Sequence, residues 1–571
     1  MTDQQRQSRI ITRGDAEGEV LVCAEGISFW GGVDPDTGRI IDVHHPNHGD
    51  SVAGKILMMP TSRGSCSGSG VLLELSLNGH APAAFVFAER EEILTLGALV
   101  SDQIFGLPIP TLALSRDDYD RLAKCRHATL RAGHLIAGND AGTIRPDLPE
   151  AGSDELRLTE LDKARLDDAE GPAMRMAMEI LCRMAAADGA DHLIDVTRGH
   201  IDGCILAHSA NLIFAEKMAD LGARVSIPTT INAISVDREN WPAQNVPEDF
   251  GTRASRLADA YVKMGAKPVF TCAPYLLDNP PAQGEVIGWS ESNAVIFANT
   301  VLGARTPKHP DYLDLFIAMT GRAPASGVYS EDGRRPRVII DVAAPEAGVD
   351  DVFWPLLGWL AGQRAPDHIP LIAGVEHLDP SQDDLKALCA AFGTTSGAPM
   401  LHIAGHTPEA HLEPVSDAAR RRISLDDFRA AWTELNQGER GIDLVAIGSP
   451  HASLAETRKI LALLDGRSCA AGTRAIVTIG RDTLRTARAE GLADALASAG
   501  VRLLPDLCWC SIVEPVFPPD TRGVITNSGK YAHYAHGLSG RHARLASLAE
   551  CVEAAVTGRA PEAPPAWLRA S

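Results

Sequence analysis

The strongest constraint on the fold is a regular alternation of short apolar runs and helical runs over most of the chain. Six apolar runs have the length and composition of strands: HLIDV (192–196), ARVSI (223–227), RVIIDV (337–342), LHIAG (401–405), DLVAIG (443–448) and AIVTIG (475–480). Helical segments such as 454–464 and 484–499 lie between them. Because strands that alternate with helices form βαβ units, the sequence predicts a large three-layer α/β domain.

Residues 1 to about 140 have a different pattern, mainly short strand-like runs separated by turn residues. The predicted strands are 20–23, 55–59, 70–77 and 83–87. Residues 138–155 are polar and contain Gly, Asp and Pro, which is typical of an interdomain linker. We therefore predict a β-rich domain over residues 1–145 and an α/β domain over residues 156–571, with a capping box from Thr159 to Asp162 near its start.

The charge balance limits the classes of function. Lys and Arg number 53 against 74 Asp and Glu, and the net charge of −21 repels the phosphate backbone of nucleic acids. No apolar run approaches the roughly 20 residues that span a bilayer, and the N-terminal run MTDQQRQSRIITRGD has no apolar signal core. We expect a soluble, cytoplasmic protein that binds neither nucleic acid nor membrane.

Eleven cysteines are spread thinly over the 571 residues, whereas disulfide scaffolds are short, dense and secreted. Reduced thiols leave three roles: small buried apolar residues, a nucleophile, or ligands of a soft metal. Cys272 stands in a short loop before a proline, and Cys508 and Cys510 form a Cys-Trp-Cys motif after a strand-like run. The CxxC spacing of zinc ribbons and ferredoxins is absent, so spacing alone does not decide among the roles.

The run SRGSCSGSG contains Ser65 and Ser67 between glycines. It lacks the Lys-Ser/Thr ending of a phosphate-binding loop. Glycines allow backbone amides to crowd together and point at an anion, and a serine among them is held close to a substrate. A surface turn is the alternative interpretation.

Two polar motifs follow strand-like runs, where the sites of α/β proteins commonly lie. In HIDGC, His200 offers proton transfer and Asp202 a group that fixes a histidine tautomer, with a structural histidine as the alternative. In PTTIN, Thr230 and Asn232 offer neutral hydrogen bonds, with loop capping as the alternative.

A third segment, 289–306, has polar residues within an apolar run: Glu291, Ser292, Asn293, Asn299, Arg305 and Thr306. Polar groups in such a segment are costly unless they are paired or used. Arg305 is suited to clamp a carboxylate through two parallel hydrogen bonds. Lys530, in the TNSGK loop, is a second cation. A structural salt bridge is the alternative for either residue.

At these motifs the chain resembles the aconitase X family, a divergent branch of the aconitase superfamily, over nearly its whole length. The resemblance rests on long stretches in the same order: SFWGGVDPDTGRIIDVHHPNHGDSVAGKIL, SRGSCSGSG, HIDGC, PTTINA, TCAPYL, WSESNAVIFANTVLGART, TGRAP, GHTPEA, GSPHAS and TNSGKYAHY.

The resemblance implies a small swivelling β domain that carries a catalytic serine and closes over a large α/β domain with an iron–sulfur cluster. Family members eliminate water from a hydroxy acid. In one branch the domains are separate subunits that act on mevalonate 5-phosphate, and in the fused branch one chain acts on cis-3-hydroxy-L-proline. The domain order here matches the fused branch. This implies a hydro-lyase for a small hydroxy amino acid, with no obligatory second subunit.

The implied reaction removes the Cα proton, loses hydroxide with the help of iron and gives Δ1-pyrroline-2-carboxylate. By motif, Ser65 is the catalytic serine, and His200 and Lys530 are further catalytic candidates. The substrate-binding candidates are Ser67, Asp202, Thr230, Asn232, Glu291, Ser292, Asn293, Arg305 and Thr306.

The cluster ligands implied by the resemblance are Cys272 and the Cys-Trp-Cys pair, of which Cys508 aligns best and Cys510 is the further candidate. The chain departs from the two-subunit relatives at Ser449, where they have a cysteine before Pro-His. The cluster type is therefore open between [2Fe–2S] and another iron centre, and Cys510 or Cys66 is available as a substitute ligand.

Three other functions remain open on the sequence. Dehydration of a phosphorylated hydroxy acid such as mevalonate 5-phosphate requires additional cations near the site. A hydratase-isomerase like aconitase itself must rebind water at a neighbouring carbon. An iron-sensing RNA-binding role is opposed by the net charge of −21.

Overall fold

The computed structural model describes residues 8–137, 143–145, 147–152, 156–345 and 348–569. Sheets of eight, three, four and five strands carry the fold, and two pairs of short strands accompany them. No helix within these ranges is both long and apolar enough to cross a membrane.

The eight-stranded sheet is built from the N-terminal part of the chain. Its order in space is Arg9–Thr12, Thr111–Ala113, Ala84–Phe87, Ile56–Met59, Ala16–Val22, His127–Arg131, His134–Ala137 and Thr143–Arg145. The second to fifth of these strands are mutually parallel, and the rest pair antiparallel. Parallel neighbours need crossover connections, and the helices Gly68–Leu77 and Ile93–Phe105 supply two of them. Smaller elements complete this part: helices Phe29–Gly32 and Arg116–Leu122 and the strand pair Val33–Asp34 and Arg39–Ile40.

The predicted strand at 70–77 is wrong, because these residues belong to the helix Gly68–Leu77. Val71, Leu72, Leu73 and Leu75 are all buried. A short apolar run that is buried on most sides has no polar face, so its periodicity does not distinguish a strand from a helix. The N-terminal part therefore contains more helix than its turn-rich sequence indicates, although the sheet remains its largest element.

The predicted linker at 138–155 is only partly described. Thr143–Arg145 pairs with His134–Ala137, and the main chain of Ile10 bonds to Pro149 and Ala151 at 2.8 Å each. These described residues therefore lie against the first sheet. Residues 138–142, 146 and 153–155 of the predicted linker lie outside the described ranges. The domain boundaries at 145 and 156 stay predictions.

The next part of the chain places Gly199–Ile201 between two parallel neighbours, Thr229–Ile231 and Gly288–Trp289. A short antiparallel pair, Leu193–Asp195 and Arg322–Pro324, lies beside it. The helices of this part are Glu160–Leu166, Pro172–Asp188, Ser209–Asp220, Glu248–Lys263, Ser292–Phe297 and Leu313–Thr320, with a π-turn at Ala298–Leu302 and 3₁₀ turns at Trp241–Gln244, Pro274–Leu276, Gly327–Tyr329 and Asp332–Arg334.

Two all-parallel sheets follow. The four-stranded sheet has the order His402–Ile403, Pro370–Ala373, Val338–Val342 and Ala419–Ile423, with helices Phe353–Arg364, Gln382–Thr395 and Leu425–Glu434. The five-stranded sheet has the order Val501–Pro505, Arg474–Ile479, Leu444–Ala452, Val524–Thr526 and Ala543–Leu545. Its helices are Leu454–Leu464, Arg481–Ala489, Leu492–Ser498, Gly529–Ser539 and Leu548–Thr557, and the short helix Ala566–Arg569 follows.

Most predicted elements of the α/β part are confirmed. The helix at 454–464 has the predicted bounds, and Thr159 and Asp162 form the predicted capping box. The predicted strand at 223–227 is wrong, because its backbone bonds to loop and helix ends at Met264 and Ala318. The strand forms a few residues later, at Thr229–Ile231, within the polar motif PTTIN that follows the predicted strand.

Candidate active site

Three predicted site residues meet at the carboxyl ends of the three parallel strands around Gly199–Ile201. Asp202 follows the central strand, Asn232 follows one neighbour, and Glu291 lies just beyond the other. The side-chain amide of Asn232 donates to Asp202 Oδ1 and, at 3.1 Å, to Glu291 Oε2. Sheet topology thus assembles groups that are far apart in sequence, at the sheet edge where α/β proteins bind ligands.

Lys530 reaches the same group from the five-stranded sheet. It lies at the start of the helix Gly529–Ser539, which follows the strand Val524–Thr526, and its Nζ donates to Glu291 Oε1 at 2.9 Å. Burial opposes ionisation of Glu291, but the Lys530 ammonium and the amides of Asn293 and Asn232 outweigh it and lower the Glu291 pKa to about 2. The pair is therefore a carboxylate and an ammonium at neutral pH.

Asn293 connects Glu291 to the loop that holds Cys272. Its amide donates to Glu291 Oε1 and, at 3.1 Å, to the carbonyl oxygen of Cys272. Its own oxygen accepts a hydrogen bond from the Tyr275 hydroxyl at 2.9 Å. The buried side-chain amide of Asn293 therefore connects the Glu291–Lys530 pair to the loop that contains Cys272.

The three predicted ligand cysteines converge next to this group. Cys272 and Cys508 are buried against Ala233, and Cys510 packs beside them. The Cys508 thiol is within hydrogen-bonding reach of both other thiols. The Cys272 thiol and burial raise the pKa of Cys508, and the Cys508 thiol and burial raise that of Cys510. Crowded thiols of this kind become good ligands once a cation replaces their protons.

His451 holds the two cysteine loops together. Its ring nitrogens lie 3.0 Å from Thr271 Oγ1 and 2.7 Å from the carbonyl oxygen of Leu507, the residues that precede Cys272 and Cys508. Its main-chain N–H donates to the Cys272 thiol at 3.4 Å. One imidazole thereby fixes the separation of the two loops.

The donor set at this position fits an iron–sulfur cluster. Sulfur ligands select such clusters over the metals that prefer oxygen. Ser449, where the family resemblance implies a cysteine, has a buried Oγ without a hydrogen-bond partner among the described residues. Cys272, Cys508 and Cys510 are therefore the residues suited to hold a cluster. A second donor group, Cys66 with Asp202 and Asp311, has its ligand atoms within 4.8 Å of one another, but two of its three donors are carboxylates.

The loop with Ser65 docks on the α/β part from the N-terminal part. The Cys66 thiol donates to Asp202 Oδ2 at 3.5 Å, and the Asp311 N–H donates to the Cys66 carbonyl oxygen at 3.3 Å. Ser65 Oγ accepts the Ser67 N–H at 3.3 Å, just before the helix Gly68–Leu77. Ser65 is thus held beside Asp202 by its neighbour in the chain.

Two glycines allow this docking. Gly64 has φ +96°, and a Cβ there would lie 2.2 Å from Ser28 Oγ. A Cβ on Gly70 would lie 3.1 Å from the hydroxyl of Tyr312, a residue of the α/β part. Larger residues at these two positions would strain the loop or push the two parts of the chain apart.

His200 lies inside the site, fully buried. Its Nδ1 lies 2.8 Å from Thr230 Oγ1, and its Nε2 has no hydrogen-bond partner among the described residues. Burial lowers the His200 pKa to about 4, so the imidazole is neutral at physiological pH. The structure therefore brings together two predicted site residues from separate motifs, His200 and Thr230, and His200 also interacts with Asn232 and Glu291.

The structure does not bring Arg305 and Thr306 into this group. The Arg305 guanidinium donates to the carbonyl oxygen of Tyr329 at 2.9 Å and lies 3.8 Å from Glu409. Thr306 Oγ1 bonds to the main chain of Trp289 and Pro307. Both side chains therefore bond to other parts of the protein and not to the group around Glu291. Ser292 starts the helix Ser292–Phe297 and makes no side-chain hydrogen bond within the described ranges.

The sequence analysis missed two charged side chains beside Ser65. Lys308 and Asp311 follow Arg305 in the run TPKHPDY and interact electrostatically with Cys66. Asp314, at the start of the next helix, accepts the Asp202 N–H at 2.7 Å. The available signal was a lysine between two prolines, followed by an aspartate directly before an almost wholly apolar helix.

Comparison with known proteins places four successive segments of the chain in one family. Residues 5–137 match the Aconitase X swivel domain, 155–332 the first domain, 336–433 the second domain and 442–557 the third domain. The chain is 48% identical over 569 residues to the cis-3-hydroxy-L-proline dehydratase of Pseudomonas aeruginosa, covering 98% of each chain. It is 31% identical over 371 residues to the phosphomevalonate dehydratase large subunit of Methanothermobacter thermautotrophicus, covering 64% of this chain and 90% of that subunit.

A solved structure extends the likeness to the fold. The crystal structure of Thermococcus kodakaraensis aconitase X in its holo-form superposes with a TM-score of 0.64 and 29% identity, over 70% of this chain and all of that one. Fold, site and relatives together define a hydro-lyase, an enzyme that removes water from its substrate. The chain belongs to the aconitase X family. The predicted resemblance and fold class are confirmed, and membership of this family implies an iron–sulfur cluster.

Proposed function

We propose that this chain dehydrates cis-3-hydroxy-L-proline to Δ1-pyrroline-2-carboxylate. The observation that carries the proposal is the 48% identity over 98% of both chains to an enzyme named for that substrate. The swivel domain and the three catalytic domains lie in one chain, so the proposal includes no second subunit. The free thiols of the site suit a reducing compartment, and we place the enzyme in the cytoplasm on that ground.

The reaction breaks the Cα–H and C3–O bonds. We assign removal of the Cα proton to Ser65. Its oxygen is basic enough for this role only as an alkoxide stabilised by nearby hydrogen-bond donors. The Ser67 N–H, just before the helix Gly68–Leu77, is a donor of this kind to Ser65 Oγ at 3.3 Å. The electron pair of the broken C–H bond forms the ring double bond as hydroxide departs, and the enamine then tautomerises to the imine.

Cys272, Cys508 and Cys510 would hold the cluster, which would supply a Lewis acid for loss of the hydroxyl group. The Cα proton and the hydroxyl of cis-3-hydroxy-L-proline lie on opposite faces of its ring. Ser65 approaches from the N-terminal part of the chain and the cysteines lie in the α/β part, which matches a base on one face and a metal on the other.

The remaining polar groups have distinct roles in the proposal. Lys530 holds Glu291 as a carboxylate, and Asn232 positions Glu291 relative to Asp202. His200 is a neutral imidazole with a free Nε2, able to pass a proton to or from the leaving oxygen. Ser67, Thr230 and Asn293 complete the polar lining as hydrogen-bonding groups.

The test is an assay of the anaerobically purified protein, with iron and sulfide analysis to distinguish a [2Fe–2S] cluster from another iron centre. Proton NMR follows loss of the signal of the proton on the hydroxylated ring carbon and appearance of the signals of the imine product. We expect turnover of cis-3-hydroxy-L-proline and none of mevalonate 5-phosphate. Preferential turnover of the phosphorylated substrate would overturn the proposal. A rehydrated isomer as product would indicate a hydratase-isomerase, and salt-dependent RNA retention without turnover would indicate the binding role.

A further inference from the structure

Two charged side chains beside Ser65 have no ion-pair partner among the described residues, although the side chains of Ser67 and Cys66 bond to the Asp311 carboxyl. Lys308 is half-buried and makes no hydrogen bond or ion pair with any described residue. Asp311 is 3% exposed, and its Oδ1 has no hydrogen-bond partner within the described part of the chain. Unpaired charged groups at such depth are costly, so each indicates a ligand group of opposite charge.

The other cations near the site are already engaged. Lys530 donates to Glu291, and Arg305 is directed to Tyr329 and Glu409. Lys308 is therefore the cation among these three that is available for an anion. It faces Cys66, Asp202, Glu291 and Lys530, and burial lowers its pKa while the anions oppose that effect.

Asp311 belongs to a group of buried acidic residues. Asp202, Asp311 and Asp314 are all buried, and burial raises the pKa of each. Repulsion by Glu291 also raises the pKa values of Asp202 and Asp311, and repulsion by Asp311 raises that of Asp314. The main-chain bond from Asp311 to Cys66 fixes this acid next to the Ser65 loop. A cation inserted beside Asp311 Oδ1 would relieve the repulsion.

We propose that Lys308 and Asp311 form a subsite for a zwitterionic cyclic amino acid, in which Lys308 binds the carboxylate and Asp311 binds the ring ammonium. This inference rests on the proposed function and names the groups that select its substrate class. The two residues are three positions apart in the segment docked on the Ser65 loop, so both ends of the substrate are fixed relative to the base. A phosphorylated hydroxy acid has no ammonium for Asp311 and is disfavoured.

The test measures binding of two unreactive ligands to the cluster-replete enzyme by calorimetry. L-Proline has the carboxylate and the ammonium but no hydroxyl, and tetrahydrofuran-2-carboxylate replaces the ring ammonium by an oxygen. We expect the wild-type enzyme to bind L-proline at least about tenfold more tightly, because a buried carboxylate left unpaired is costly. Asp311→Asn should remove this preference. Lys308→Gln should weaken both ligands by about tenfold or more.

Matched controls are Asp350→Asn and Lys459→Gln, which line another cleft, beside Trp354 and His377, and should bind both ligands like wild type. Equal affinity of the wild-type enzyme for the two ligands overturns the subsite, whether or not the variants fold. A folded Asp311→Asn protein that keeps the preference also overturns it, and so does a stoichiometric non-iron metal that Asp311→Asn removes.

Binding and turnover separate this inference from the proposed function. Selective binding of L-proline without turnover of cis-3-hydroxy-L-proline supports the subsite and contradicts the proposed function. Turnover by an enzyme that does not distinguish the two ligands supports the proposed function and contradicts the subsite.

Discussion

Lys530 Nζ lies 2.9 Å from Glu291 Oε1, and this buried ion pair joins the five-stranded sheet to the end of the three-stranded sheet. The two side chains are 12% and 13% exposed, so solvent screens the pair little. Because both parallel sheets direct their carboxyl ends to this point, the pair also marks the junction at which the cysteines and the Ser65 loop meet.

The first prediction concerns this pair. Lys530→Met leaves the Glu291 carboxylate buried without its cation, and we expect a loss of about 3 kcal/mol in the free energy of unfolding. Glu291→Gln combined with Lys530→Met should cost less than the sum of the single changes, because no lone charge remains. Urea denaturation of the four proteins measures the coupling, and strictly additive losses would show that the pair contributes no stability.

The second prediction concerns the base. Ser65→Ala should lower kcat by at least about 100-fold while iron content and melting temperature stay at wild-type values, because the hydroxyl acts in proton transfer. Ser69→Ala is the control, since Ser69 Oγ bonds to the Ile93 carbonyl oxygen within the N-terminal part. Retention of more than about a tenth of the activity would remove Ser65 from this role and direct attention to Ser67.

The third prediction concerns the thiols. Cys272→Ser, Cys508→Ser and Cys510→Ser should each lose visible absorbance and activity together, because a hydroxyl is a poor replacement for a soft thiolate. Cys23→Ser and Cys551→Ser change buried cysteines that belong to other hydrophobic clusters, and they should keep both properties. If one of the three variants keeps its colour, that cysteine is not a ligand.

The fourth prediction concerns Arg305. Since its guanidinium bonds to Tyr329 and Glu409, Arg305→Lys should leave KM and kcat near the wild-type values. The lost hydrogen bond should lower stability by about 1 kcal/mol. Steady-state kinetics of the cluster-replete variant, with melting curves, test both statements. A clear rise in KM at unchanged iron content would show instead that Arg305 binds the substrate.

The fifth prediction concerns pH and His309. Tyr329 OH donates to the Ile287 carbonyl oxygen at 2.9 Å, so it accepts from His309 Nε2, which also lies at 2.9 Å. Burial, followed by the charge of Arg90, lowers the His309 pKa to about 3, whereas the unfolded value is about 6.5. Unfolding therefore takes up a proton below pH 6.5, and stability falls as the pH falls. Between pH 7 and 5 this residue should cost about 2 kcal/mol.

His309→Gln removes this proton uptake and keeps an N–H donor. Its stability relative to wild type should therefore improve as the pH falls from 7 to 5, as measured by denaturation at both values. His44→Gln, at an exposed histidine, is the control and should follow wild type. A pH-independent difference between His309→Gln and wild type would show that His309 is not held neutral.

The contrast between 70–77 and 454–464 shows how far local pattern reaches. The helix Leu454–Leu464 has a capping box and a polar face, and the sequence predicts its bounds correctly. The helix Gly68–Leu77 is apolar throughout its centre, and its pattern is equally compatible with a strand. Periodicity identifies an element only where one face of it meets water.

The sequence also identified only some of the site residues. Long motifs carried by the family resemblance pointed to Ser65, Glu291, Lys530 and the three cysteines, and the structure brings these residues together. Arg305, in the same motif as Glu291, is directed away, and Lys308, three residues later, faces the site. No motif specifies this difference, because it depends on the contacts that each side chain makes in the folded protein.

By itself the sequence determined the alternation of strands and helices, the order of the domains and the residue types available for chemistry, because these depend on composition and local spacing. Only the tertiary structure decided which charges pair. Lys530 and Glu291 are 239 residues apart and meet because two parallel sheets place their carboxyl ends at one junction. The partner that each buried charge obtains, or lacks, is a property of that packing, since its energy depends on distances that no local pattern specifies.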